Sequence, residues 1–123
     1  MGKGEESKMI EYIISNYLRE ALHMDAVYLE IPKTMPDECV VFHIVDRSRE
    51  RMIDAVTVEL YSYGKTHEKA AQLDERVRGA MYDITGLDEV SASRLGGGND
   101  APDTTLKRYR YRSYFNLTYM EDY

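Results

Sequence analysis

Apolar and polar positions alternate along this chain with periods that change from segment to segment. In residues 8–22, Met9, Ile10, Ile13, Ile14, Tyr17, Leu18 and Leu22 recur at helical spacing, which predicts a short amphipathic helix with one apolar stripe. Residues 26–31 predict a short strand stopped by Pro32, and residues 33–38 a polar turn that holds Pro36. Residues 39–45 are mostly apolar and predict a central strand. The charged stretch 46–51 predicts a hairpin loop, with a third strand beginning near Met52. A loop this short cannot cross over a sheet, so strands two and three are expected to pair antiparallel.

The stretch 53–86 carries the most information. It alternates as a strand through Tyr63, breaks at Gly64 and Lys65, and continues as a helix expected over 66–85. Ala70, Leu73, Val77, Ala80, Met81 and Ile84 fall on one stripe, while Lys69, Asp74, Glu75, Arg76 and Arg78 are expected to face out. Gly86 reads as the stop, taking a left-handed position. Burying that stripe is worth about 1.5–3 kcal/mol per large side chain before entropy is subtracted, so this helix should anchor the fold. A fourth strand is expected over 89–95. The run Gly96, Gly97, Gly98, Asn99, Asp100, Ala101, Pro102, Asp103 predicts a mobile connection over 96–105. It is no phosphate cradle, because Asn and Asp follow its last glycine where a P-loop needs Lys and Ser or Thr at a helix start. The last and longest strand is expected over 106–120. One face carries Tyr109, Tyr111, Ser113, Phe115, Leu117 and Tyr119, read as core. The other carries Arg108, Arg110, Arg112, Tyr114, Asn116 and Thr118.

Composition narrows the classes. The 123 residues suit one domain with one core, and 43% hydrophobic with 31% charged residues fits a folded soluble chain. Residues 1–7 are expected to be disordered. The net charge of −6 argues against tight non-specific nucleic-acid binding, which relies on Lys and Arg displacing counterions. Cys39 is the only cysteine, so an internal disulfide is excluded, and its apolar run predicts a buried, inert thiol in a reducing compartment. The start of the chain lacks the apolar core of a signal peptide. No apolar run approaches the roughly 20 residues that span a membrane.

Candidate chemistry is sparse. His23, His43 and His67 have no metal-ligand spacing to one another or to Cys39, and His43 reads as a core or interface histidine. Neither a nucleophile elbow nor a dinucleotide fingerprint occurs, so no catalytic, cofactor or metal residue is assigned and none of these activities is expected. Eleven tyrosines suit contacts that are dry in the middle and wet at the rim. Arginine alternating with tyrosine can bind single-stranded nucleic acid, yet the same alternation marks any half-buried strand. The structural reading is preferred: the arginines meet acidic groups on a neighbouring strand, element or subunit.

The whole predicts an α+β domain, a mostly antiparallel mixed sheet with one long helix on a face and an N-terminal helix, in the order α-β-β-β-α-β-β. Laid out so, the chain resembles the tail terminator proteins of long-tailed phages and prophages, also called tail completion or minor tail proteins. The resemblance rests on the N-terminal helix followed by Val27-Tyr28-Leu29-Glu30-Ile31-Pro32, the apolar strand 40–45, the run 54–63 leading into Glu68-Lys69-Ala70-Ala71-Gln72-Leu73, and a Gly-rich segment before Arg108-Tyr109-Arg110-Tyr111-Arg112. It covers about residues 8–120.

The resemblance implies a protein without catalytic activity that forms a ring, typically a hexamer, on the head-proximal end of the tail tube. It stops tube polymerisation and offers a surface for head joining. The implied partners are other copies of the chain, the tail tube protein and a head-joining protein, with no membrane and no sequence-specific nucleic acid. The implied place is the virion tail, assembled in the host cytoplasm. A cyclic ring needs two unlike patches per subunit, for which a long edge strand and a mobile loop are suitable. Lys107, Arg108, Arg110, Arg112, Gly96, Gly97 and Gly98 are the residues expected at subunit or tube contacts. Two other classes stay open: another connector or head-closure component, and a single-stranded nucleic-acid-binding module that uses the Arg/Tyr strand.

Overall fold

A computed structural model describes residues 9–51 and 53–120; the expected disorder of residues 1–7 lies outside the described residues. The chain runs α1 (Met9–Leu22), β1 (Val27–Tyr28), β2 (Cys39–Glu50), β3 (Ile53–Gly64), α2 (His67–Tyr82), a 3-10 turn (Asp83–Gly86), β4 (Val90–Asp100) and β5 (Tyr109–Tyr119). This is the expected α+β order. The five strands form one mixed sheet in the order β1-β2-β3-β5-β4. Only the short β1–β2 pair is parallel; β2–β3, β3–β5 and β5–β4 are antiparallel.

Both helices contribute to one core with a single face of the sheet. Ile10, Ile14, Leu18 and Leu22 of α1 and Leu73, Val77 and Met81 of α2 are buried with Phe42, Val58, Leu60, Phe115 and Leu117. Thr66 caps α2 by accepting a hydrogen bond from the Lys69 N–H at 3.1 Å. Tyr17 Oη donates to the Ala80 carbonyl at 2.6 Å and Arg76 to the Leu22 carbonyl at 2.5 Å, which ties the helices together. On the opposite face Cys39, Val41 and Tyr63 form a smaller cluster with Tyr28, Met35 and Tyr61 packed against it.

Several boundaries differ from expectation. The charged stretch 46–51 is not a loop: β2 continues to Glu50, paired with Ile53, and Arg51 takes φ 53°. Cross-strand pairing sustains it, with Arg49 and Asp54 opposed at 3.7 Å and Arg47 bound to Glu11 of α1 at 2.5 Å. The long helix ends at Tyr82 and tightens into the 3-10 turn. Residues 96–100 form not a loop but the second half of β4, with Gly97 opposite Tyr114, Gly98 opposite Ser113 and Asp100 opposite Tyr111. The last strand begins at Tyr109, is shorter than β2 and β3, and lies inside the sheet between β3 and β4. Its tyrosine face is core only from Ser113 onward; Tyr109 is 48% exposed. Asp74, expected outside, is buried.

Candidate functional site

The arginines expected at an interface are engaged within their own chain. Arg108, just before β5, donates to the carbonyls of Pro36 and Asp37 at 2.9 and 2.7 Å. Arg110 donates through Nε to the Ala101 carbonyl at 2.7 Å and through Nη1 to Asp103 at 3.4 Å, and its guanidinium lies 4.3 Å from the centre of the Tyr61 ring. Arg112 reaches Asn99 Oδ1 at 3.1 Å and Glu59 at 4.0 Å and lies over Tyr114 at 4.9 Å. Lys107 is exposed and takes φ 54°, at the turn that returns the chain into β5. The opposite charge that an arginine row needs is thus supplied inside the monomer, by β3 and by the segment after β4.

Asp103 is the centre of that segment. Its Oδ1 accepts from the backbone N–H groups of Thr105 and Leu106 at 3.1 and 3.0 Å, and its Oδ2 accepts from Tyr63 Oη at 3.2 Å. Burial alone would raise this carboxyl. The Leu106 N–H, the Tyr63 hydroxyl, the Arg110 guanidinium and the Thr105 N–H outweigh it and hold the group below the usual carboxylate range. Tyr63 shifts the other way, pushed up first by burial. This network closes residues 101–108 over one end of the sheet's second face. Nothing in the glycine-rich composition of the segment signalled it; an Asp followed by two Thr was the only hint of a turn built on its side chain.

The glycines sit on an edge. Because β4 ends the sheet among the described residues, Gly96, Gly97 and Gly98 lie on a strand with a described neighbour on one side only. The register shifts between Leu95 and Gly97, and Gly97 has φ 148°, which favours glycine. At Gly98 a Cβ would overlap the Arg78 guanidinium and the Arg112 carbonyl. Arg78, paired with Asp74 at 2.8 Å, therefore lies directly against the edge strand. Burial raises the Asp74 carboxyl, and Arg78 offsets this in part. At the same end of β4, His67 Nε2 lies 3.1 Å from Asp100 Oδ2 and 3.0 Å from Tyr111 Oη, joining the start of α2 to both strands.

The other edge is also open. Among the described residues β2 is covered on this side only by β1, at Val40 and Val41. Beyond it, a groove of about 710 Å³ runs between α1 and β2, lined by Tyr12, Ser15, Leu29, Glu30, Phe42, His43 and Ile44 among others. His43 is half-buried there, edge-on to Tyr61 at 6.1 Å. Cys39 is fully buried, and burial pushes its thiol up to about 11, so it is un-ionised and unreactive at neutral pH. Among the described residues no group of three or more His, Cys, Asp and Glu side chains could hold a metal ion. None of the helices among them is long and apolar enough to cross a membrane.

The geometry therefore offers two unlike sheet edges among the described residues and a well-satisfied Arg/Tyr face between them. No protein-family model and no curated protein matches the chain.

Proposed function

We propose that this protein is a tail terminator of a long-tailed phage or prophage: a ring-forming subunit that caps the tail tube, stops its growth and presents a surface for head joining. The observation that supports this best is the pair of unlike, open edges on one α+β sheet. Ring closure by rotation requires two different patches on each subunit, and a sheet that ends in β4 on one side and in uncovered β2 on the other provides them. The element order is the one read from the sequence, on which the resemblance rests.

The test is assembly. The purified chain is mixed with the tail tube protein of the phage or prophage that carries it, and the products are viewed by electron microscopy. Capped tubes of limited length, with a ring at one end, are expected. Tubes that grow as long with the protein as without it would overturn the proposal.

The nucleic-acid reading has less support. Arg110 lies over Tyr61 and Arg112 over Tyr114, so the guanidiniums and ring faces that would meet phosphates and bases already meet each other. Glu59 stands beside Arg112 on the same face.

A further inference from the structure

We propose that β4 of one copy of this chain pairs, edge to edge and antiparallel, with the uncovered part of β2 in the next copy. Strand direction comes first. Since β2–β3, β3–β5 and β5–β4 are all antiparallel, β4 runs opposite to β2. A rotation about an axis roughly along the strands keeps those directions. It therefore sets β4 of one copy antiparallel to β2 of its neighbour, the more stable pairing. The lengths agree as well: β4 has 11 residues, and β2 lacks a covering strand from Phe42 to Glu50 among the described residues.

The flanking side chains are complementary in size. On and beside β2 stand large exposed apolar groups: Val45 of the strand itself is 52% exposed, and Tyr12 and Leu29 next to it 66% and 42%. β4 carries small residues, among them Ser91, Ala92 and the three glycines, which let a neighbouring backbone and its flanking side chains approach closely. Charge is complementary too. Arg94 is the only cation of β4; it is exposed and makes no hydrogen bond or ion pair with another described residue. Glu30, an exposed carboxylate at the β2 groove, is likewise without such a partner among the described residues. A second copy supplies each with the opposite charge, whereas β4 against β4 would bring two Arg94 side chains together.

This inference rests on the ring reading, and the experiment separates the two. Sedimentation velocity of the full chain over a wide concentration range should show association beyond a dimer. Arg94→Glu and Glu30→Arg should each weaken it several-fold, and combining them should restore it. Val45→Lys should weaken it without rescue by either. All variants alter exposed residues, so unchanged circular dichroism and melting are expected. A monomer at every concentration, a dimer that grows no further, or association that the variants leave untouched would overturn the edge pairing. Tubes still capped by a protein whose association ignores these variants would leave the ring reading standing without this interface. Edge-paired assemblies that do not limit tube length would do the reverse.

Discussion

Gly64 lies so close to Ala70 that a Cβ at position 64 would overlap the Ala70 backbone nitrogen. The last residue of β3 is thereby pressed against the first turn of α2, and the strand-to-helix connection can be as tight as Lys65 and Thr66 make it. The obstructing atoms are backbone and cannot rotate away. Gly64→Ala should therefore destabilise the fold by about 1–3 kcal/mol, read from chemical denaturation. An unchanged midpoint would show that the helix start yields freely.

Leu73 is the pivot of the helix stripe, buried against the sheet. Leu73→Ala should lower unfolding free energy by about 2–5 kcal/mol. A much smaller loss would mean that the helix is not packed as described.

The Asp103 network should give the protein a measurable acid sensitivity. A carboxyl held below its ordinary range contributes stability that is present above the unfolded-state value and is lost as pH falls through the folded-state value. Asp103→Asn should be less stable than the native chain at neutral pH, and the gap should narrow as the medium is acidified. Asp74 has the opposite sign: its raised carboxyl makes acidification through the window just above the ordinary range stabilising. A pH series of melting temperatures for the native chain and Asp103→Asn checks this, and a gap that widened on acidification would contradict it.

Arg110 should behave as a structural residue. Truncating it leaves the Ala101 carbonyl and the Asp103 carboxylate short of a donor and uncovers Tyr61. Arg110→Ala should cost about 1–3 kcal/mol of stability. If the variant is as stable as the native chain and instead loses only assembly, the arginine belongs to an interface.

The order of elements was legible in the sequence because periodicity changes sharply from 3.6 to 2 and back, with Pro32, Gly64 and Gly86 marking breaks. The core stripe of α2 was legible for the same reason. Asp74 was not, although it stands four residues after Ala70 and so shares that helix's inner flank; its charge suggested solvent, while its pairing with Arg78 allows burial. The glycine run was misread because composition does not distinguish a glycine that loosens a loop from one that admits a close neighbour, as Gly98 admits Arg78. The arginine row predicts acidic partners on a neighbouring strand, element or subunit, and Arg110 meets Asp103 while Arg112 meets Glu59; the carbonyls of residues 36–37 and the rings of Tyr61 and Tyr63 come from a distance that no local pattern encodes. The open edges could not be read either, since it is long-range pairing that places β5 and not β4 beside β3 and so leaves β4 at the edge.

We propose that this chain limits a tube by closing a ring upon it. The most direct measurement is the length distribution of tubes, polymerised from the cognate tail tube protein, with the chain added at increasing ratio. Shorter tubes are expected, each bearing a single ring at one end, with loss of that effect on charge reversal at Arg94 and recovery when Glu30 is reversed as well. Tube lengths that do not change at any ratio would contradict it.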